Sequence, residues 1–238
     1  MDSDYLKGML RLGLIAFSVV FVSMIVVVAL RFVGLSRPYK AFQHHLTAET
    51  TYQLGKTDSE AGLLVLRVEK DKEGQWVAVE ADSTKRPLES RLEELSQRPG
   101  WVIYLSETQP LQLDGLTELL DQIDPSNFVV ISPYSKPVTA LQKKRPRWLF
   151  GLPPTELVKW HMMSVIFLEP FIQLSADWVV FTKQDLDDKL IDPRLTKEMQ
   201  RRQMKLVYAG SKTELPEWLI ESVTGYWQNY KDYAPPKR

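Results

Sequence analysis

The sequence predicts an α/β domain, either a small (β/α) barrel or an open doubly wound sheet, behind one N-terminal transmembrane helix. Three observations predict this architecture. The first is a long uncharged apolar stretch near the N-terminus. The second is a series of short apolar segments of the kind that form buried parallel strands. The third is that helix-like segments lie between these strands, as right-handed crossovers in a largely parallel sheet require.

The apolar stretch runs from Leu12 to Leu30, and its only polar side chains are Ser18 and Ser23. At about 1.5 Å per residue, a helix of this length covers roughly the 30 Å hydrocarbon core of a bilayer. A cleaved secretory signal is the alternative. The apolar run is longer than a usual signal core, and no small-x-small cleavage site precedes Arg31, so we expect an uncleaved anchor.

Basic residues lie on both sides of this stretch, at Lys7, Arg11, Arg31, Arg37 and Lys40. The positive-inside rule therefore does not decide the orientation. By analogy with other anchors that have short tails, we favour a bacterial inner-membrane protein whose domain lies outside. The expected divisions are an N-terminal tail (1–11), the anchor (12–33), a juxtamembrane linker and possible first barrel strand (34–60), the barrel domain (61–233) and a C-terminal tail (234–238).

Composition excludes several classes of function. The chain has 30 basic and 30 acidic residues, so it carries no net charge that would attract nucleic acid. It has no cysteine, which excludes disulfides, thiolate nucleophiles and zinc–thiolate sites. The expected partners are the lipid bilayer and either a phospholipid head group or a membrane protein.

Apolar segments rich in β-branched and aromatic residues predict seven strands, at 63–68, 76–79, 101–105, 128–131, 148–152, 178–181 and 205–208. The first two flank the turn at 71–74 and are expected to form a hairpin. Amphipathic spacing and capping residues predict helices at 89–95, 115–123, 136–144, 193–203 and 214–222.

The sequence contains no dinucleotide-binding, P-loop, serine-hydrolase or zinc-protease motif. His44 and His45 are adjacent, and adjacent residues in a strand point to opposite faces, so a polar juxtamembrane segment is a simpler interpretation than a metal site. His161 lies in an apolar stretch and is expected to be a packed histidine. An acidic run is expected to be a solvated loop, with a cation site as the alternative: Asp185, Asp187 and Asp188.

The segment 157–174 is unusually apolar, but Glu169 and Pro170 interrupt it, so a second membrane span is not expected. We expect a buried helix that covers the sheet. The alternative is a flap in the membrane interface beside the anchor. Such a flap would expose apolar side chains on the anchor side of the domain, at Phe167, Phe171 and Ile172.

The order of these segments resembles that of the glycerophosphodiester phosphodiesterases. Residues 64–79 resemble the family segment in which a Glu-x-Asp strand precedes a turn and a His-Asp pair. Residues 87–95 resemble the helix that follows, and 101–107 the third strand, which contains a glutamate. The late blocks 128–152 and 177–214 are also similar. The resemblance covers most of 60–230 and implies a (β/α)8 TIM barrel.

The resemblance also implies a chemistry: carboxylates hold Ca²⁺ or Mg²⁺, and two histidines act as acid and base. Carried onto this sequence, the Glu-x-Asp positions fall near Leu64 and Leu66, which cannot bind a hard cation. The remaining candidates are His44 or His45 for catalysis, and Glu80, Asp82 and Glu107 for the metal. Ca²⁺ or Mg²⁺ is expected only if the site is active.

Three hypotheses follow. The first is a catalytically degenerate phosphodiesterase-like barrel that acts in binding. The second is an active phosphodiesterase with a rebuilt site, which requires His44, Glu80 and Glu107 to converge at one end of the barrel. The third is an unrelated membrane-tethered α/β scaffold, whose strands would not close into a barrel.

Overall fold

The computed structural model describes residues 3–35, 52–55, 62–79, 84–95, 100–106, 113–172, 174 and 176–227. The strands are β1 (Tyr52–Gly55), β2 (Gly62–Lys70), β3 (Trp76–Val79), β4 (Lys85–Pro87), β5 (Trp101–Leu105), β6 (Phe128–Ile131), β7 (Leu149–Phe150), β8 (Trp178–Phe181), β9 (Lys205–Tyr208) and β10 (Val223–Trp227). The α-helices are α1 (Ser3–Leu35), α2 (Leu88–Leu95), α3 (Asp114–Leu120), α4 (Ser135–Lys144), α5 (Pro154–Val165), α6 (Lys183–Asp187), α7 (Pro193–Arg201) and α8 (Glu217–Ile220).

Eight of the described strands form a closed parallel barrel in the order β7-β6-β5-β2-β1-β10-β9-β8. A parallel bridge between Gly151 and Trp178 joins the two ends of this order. The backbone N–H of Leu152 donates to the Trp178 carbonyl at 2.7 Å, and that of Asp177 donates to the Phe150 carbonyl at 2.8 Å. The open-sheet alternative is therefore wrong. The third hypothesis, an unrelated scaffold, required strands that do not close into a barrel, and the closure contradicts that requirement.

A β-hairpin extends the barrel wall beside β2. Strand β5 takes one edge of β2, while β1 pairs with residues 62–64 and β3 with residues 67–70 on the other edge. The predicted hairpin is confirmed. Its turn places Gly74 at φ 82°, a conformation that favours glycine, and Asp71 accepts hydrogen bonds from the backbone N–H of Glu73 and Gln75.

Apolar side chains fill the barrel and cover its outside. Alternate strand residues point inward and form an interior cluster that includes Leu63, Val65, Tyr104, Trp178 and Trp227. The opposite strand faces pack against α2, α3 and α4 on one side and against α5, α7 and α8 on the other. The segment 157–174 was expected to be a buried helix, but α5 ends at Val165 and only part of it is buried, with Leu157 and Trp160 against the sheet.

The sequence predicted the long buried strands correctly but gave no bounds for three short ones, of which β1 lies within 34–60, where a first barrel strand was expected. Strands β1, β4 and β10 were not identified from their apolar content, because they are short or contain polar residues and glycine. The predicted helix 214–222 is instead a 3₁₀ turn at Lys212–Glu214 followed by the short α8. The predicted acidic loop contains α6, where Asp185 caps the helix by accepting hydrogen bonds from the Thr182 N–H and hydroxyl.

Helix α1 is long and apolar enough from Met9 to Leu35 to cross a membrane, and its apolar window is not buried against the rest of the molecule. Its last two turns contact the barrel. The Arg31 Nη1 lies 2.5 Å from Oε1 of Glu169, whose side chain is 1% exposed. Gly34 packs so closely that an added Cβ would lie 2.7 Å from Cβ of Pro170, and Arg201 donates to the Leu35 carbonyl.

A buried network holds the segment that α1 contacts. Arg202 donates to the carbonyl of Glu169 at 2.9 Å and to Glu198 at 2.7 Å, and its guanidinium lies over the Trp160 ring. The Trp160 indole N–H donates to the same Glu169 carbonyl at 3.2 Å. We call Arg31, Gly34, Glu169 and Pro170 the anchor junction.

Asp177 directly precedes β8 and bonds to β7 where the barrel closes. Its titration predicts that the stability of the barrel depends on pH. Its carboxylate accepts a hydrogen bond from the Phe150 N–H at 2.9 Å, and burial raises its pKa to about 6. The folded state then binds more protons than the unfolded state between about pH 4 and pH 6, so the contribution of Asp177 to stability falls as pH rises through this window.

We expect Asp177→Asn, which retains an acceptor for the Phe150 N–H, to remove this fall in stability with rising pH. The variant should be more stable than the native protein at pH 7 by at most about 3 kcal/mol, and equal to it near pH 4. Thermal unfolding from pH 4 to pH 7 measures the difference. A difference that does not change across this range would contradict the prediction.

Candidate functional site at the carboxyl end of the barrel

The proposed catalytic and metal residues lie outside the part of the chain that the structure describes: His44, His45, Glu80, Asp82 and Glu107. Their convergence therefore stays a prediction. The proposed anchor residues Leu12 and Leu30 lie in α1. His161 is half-buried in α5. Within the described ranges, no group of three or more His, Cys, Asp or Glu residues is arranged to hold a metal ion.

The carboxyl ends of the barrel strands form the face where TIM-barrel enzymes place their active sites. On β2, Leu63 and Val65 belong to the interior cluster, so alternation places Arg67 and Glu69 on the same face, toward this end. Leu64 and Leu66 pack instead in the outer cluster. The two leucines, near which the resemblance placed the family's Glu-x-Asp positions, therefore lie on the outward face of β2.

Arg67 is a cation at this mouth, with its side chain 37% exposed. Its Nη2 lies 3.3 Å from Oε2 of Glu69, and the Lys85 Nζ lies 2.6 Å from Oε1 of the same carboxylate. Among the described residues, the Arg67 Nε is buried without a hydrogen-bond partner. Arg67 and Lys85 thus share the one carboxylate of Glu69.

Aromatic rings lie in the wall beside this charge. Tyr104 is the cross-strand neighbour of Arg67, and its ring meets that of Trp227 edge to face, with centroids 5.9 Å apart. Both rings are almost completely buried. Below them the barrel is filled with side chains, so a ligand would be held at the mouth rather than deep inside.

The hydroxyls at the same face make local contacts. Ser106 donates to the Val68 carbonyl at 3.2 Å, and Ser132 accepts from the Tyr134 N–H. Thr182 takes part in the capping box of α6. Among the described residues, the mouth thus offers the Arg67 guanidinium, which can bind an anion. The described residues do not form a group of three or more carboxylates or histidines that would hold a divalent cation.

Sequence reasoning missed Arg67, although a signal for it was present. In the run 63–68, Arg67 is the only charged residue, and it lies at an even spacing from Leu63 and Val65. A charge on the inward face near the carboxyl end of a barrel strand indicates a site residue. The sequence does not show which face of this strand points inward, because a strand that is apolar on both sides has no alternation of apolar and polar residues.

No protein-family model matches the sequence, and no curated protein matches it. Solved structures do. A glycerophosphodiester phosphodiesterase from Parabacteroides distasonis superimposes with a TM-score of 0.55 at 11% identity, over 76% of this chain and 93% of that one. The glycerophosphodiester phosphodiesterase from Thermotoga maritima superimposes with a TM-score of 0.52 at 11% identity, over 72% of this chain and 82% of that one.

A glycerophosphodiester phosphodiesterase from Agrobacterium tumefaciens gives a TM-score of 0.51 at 12% identity, over 77% of this chain and 98% of that one. At these identities the similarity establishes the fold, and it agrees with the strand order and closure described above. The chain therefore folds as a (β/α)8 barrel of the glycerophosphodiester phosphodiesterase type, preceded by one helix long and apolar enough to cross a membrane.

Proposed function

We propose that this protein is a membrane-anchored, catalytically degenerate phosphodiesterase-like barrel that binds a phosphate-containing ligand at its carboxyl-end mouth. The observation that carries the proposal is the inward face of β2. Two metal ligands of the Glu-x-Asp type require two carboxylates at alternate positions on this face. The inward residues are Leu63, Val65, Arg67 and Glu69, so this face carries one carboxylate and not the required pair.

The position of Arg67 supports binding rather than catalysis. In a working enzyme the divalent ion neutralises the phosphate oxygens. A guanidinium can supply positive charge and planar hydrogen-bond donors to the same oxygens, but it cannot activate water as a metal does. The Arg67 side chain is 37% exposed, and in the described part of the chain its one ion pair is the 3.3 Å contact with Glu69, so its Nη donors can be reached by an anion.

The anchor junction supports a retained anchor over a cleaved signal. Removal of α1 would take Arg31 away from the buried carboxylate of Glu169 and would uncover the surface of Pro170 on which Gly34 packs. Leaving a buried carboxylate without its cation is costly. A signal peptide that is discarded has no reason to form such contacts with the mature domain.

Arg67→Gln is expected to weaken binding of glycerol 3-phosphate or glycerophosphocholine by about 10- to 100-fold, the value of one charge-assisted hydrogen-bonding group. The fold should be retained, because Glu69 keeps its ion pair with Lys85. Calorimetric titration of the full chain in detergent micelles measures the affinity. Arg86→Gln is the matched control, since Arg86 lies on β4, the strand beside the hairpin, and its only described ion pair is 3.9 Å long.

The same samples distinguish binding from catalysis. With millimolar Ca²⁺ or Mg²⁺, we expect no release of glycerol 3-phosphate from glycerophosphocholine. Metal-dependent hydrolysis that is lost on Glu80→Ala or Glu107→Ala would instead establish the active phosphodiesterase with a rebuilt site. Equal affinity of the native protein and Arg67→Gln for both ligands would remove the proposed binding site.

A further inference from the structure

Four exposed apolar side chains form a patch at the end of α5 and just after it: Met162, Val165, Ile166 and Phe167. They are between 47% and 64% exposed. Outside α1, the one other large apolar side chain with comparable exposure in the described residues is Trp218. We call the four residues the α5 patch. Phe171 and Ile172, which the sequence grouped with Phe167, are half-buried.

The topology places the α5 patch at the amino-end face of the barrel. Helix α5 follows β7, so it starts at the carboxyl-end face. It returns to the opposite face, from which β8 begins at Trp178. Its 12 residues correspond to about 18 Å of helix. The patch therefore lies at the end of the barrel away from Arg67.

The patch is continuous with the anchor junction. The guanidinium carbon of Arg31 lies 5.5 Å from the centroid of the Phe167 ring, and that of Arg194 lies 4.5 Å from the same centroid. Arg31 is the first charged residue after the apolar stretch of α1, so it marks the level at which the helix leaves the hydrocarbon. Phe167 is thus held at the boundary between acyl chains and head groups.

The charges around the patch also suit a lipid surface. Among the described residues in and beside the anchor junction, four arginines lie with two glutamates: Arg31, Arg194, Arg201 and Arg202 with Glu169 and Glu198. Exposed apolar side chains beside an excess of arginines are typical of surfaces that enter the interface and attract anionic lipids.

We propose that the α5 patch inserts into the interface of the bilayer that α1 spans, so that the barrel stands on the membrane by its amino-end face. The inference rests on the proposed anchoring. Its consequence concerns the ligand. The carboxyl-end mouth faces water, at least the length of α5 from the lipid, so the ligand is a water-soluble phosphate or phosphodiester and not an intact phospholipid of the same leaflet.

The absence of cysteine makes the test direct, because single cysteines can be introduced without background. Ile166→Cys and Met162→Cys report the α5 patch. Lys72→Cys is the matched control, since Lys72 is exposed in the β2–β3 turn near the carboxyl-end face. Each full-length variant is labelled with an environment-sensitive fluorophore and reconstituted in vesicles of phosphatidylcholine and phosphatidylglycerol, with or without lipids brominated near the head-group end of the acyl chain.

We expect blue-shifted emission and severalfold stronger bromine quenching at positions 162 and 166 than at position 72. Resistance of the chain to alkaline extraction tests the anchor separately. If the chain is extracted, both the anchor and the orientation are wrong. If it remains in the membrane while the patch probes are unquenched, or while the probe at position 72 is the one quenched, the orientation alone is overturned and the proposed binding function stands.

Discussion

Replacing Arg31 with alanine is expected to lower the free energy of unfolding of the barrel by roughly 3 kcal/mol, the lower end of the range for removing one partner of a buried ion pair. The Glu169 carboxylate is buried, its Oε1 is bound to Arg31, and its Oε2 has no hydrogen-bond partner among the described residues. Without the guanidinium, this charge would lie uncompensated in the protein. The cation–π contact with Phe167 would be lost as well.

Thermal unfolding of the full chain in detergent, followed by tryptophan fluorescence, measures this loss, because Trp160 donates to the Glu169 carbonyl and reports the junction. Arg11→Ala is the control, since Arg11 is exposed at the other end of the apolar stretch. Adding Glu169→Gln to Arg31→Ala should recover part of the stability, because the buried charge is then gone. Equal melting temperatures for Arg31→Ala and Arg11→Ala would show that the anchor is not coupled to the barrel.

Gly151→Ala is expected to destabilise the barrel by about 2 kcal/mol through steric strain at its point of closure. An added Cβ would lie 2.8 Å from Cγ1 of Ile131 and 3.4 Å from its Cβ, and Ile131 is buried. Gly151 also donates to the Val130 carbonyl and bridges to Trp178. Since the backbone is held on both sides, a local shift cannot relieve the clash between the added methyl group and Ile131.

Gly115→Ala is the matched control for this prediction. A Cβ there would make an ordinary 3.5 Å contact with the Trp76 ring, and Gly115 lies in α3, where alanine is the better helix former. This variant should be as stable as the native protein, or more stable by up to about 1 kcal/mol. Denaturant unfolding of both variants provides the comparison. If the Gly151→Ala protein were as stable as Gly115→Ala, the added methyl group would cause no strain at the β7–β8 contact, and the prediction would be wrong.

In the two proposals, the ends of the barrel have different tasks. The proposed attachment rests on the amino end, which carries the buried ion pair, the arginines and the exposed apolar patch. The proposed binding rests on the carboxyl end, which carries Arg67. This separation follows the usual division of labour in TIM barrels, where one face stabilises and the other carries the site.

The sequence by itself determined the apolar helix, the α/β class and most of the buried strands, because these depend on local composition and periodicity. The segments 101–105, 128–131, 178–181 and 205–208 were predicted with their observed bounds. The order of segments also led to the correct fold resemblance, although identity to the solved structures is only 11–12% for the three described above.

Only the tertiary structure decided closure, register and orientation. Closure depends on the contact of Gly151 with Trp178, which no local pattern records. The inward face of β2 could not be read from the sequence, because a strand buried on both sides has no polar alternation, and one residue of register separates Leu66 from Arg67. The pairing of Arg31 with Glu169 joins residues 138 positions apart, and such contacts exist only once the chain has folded.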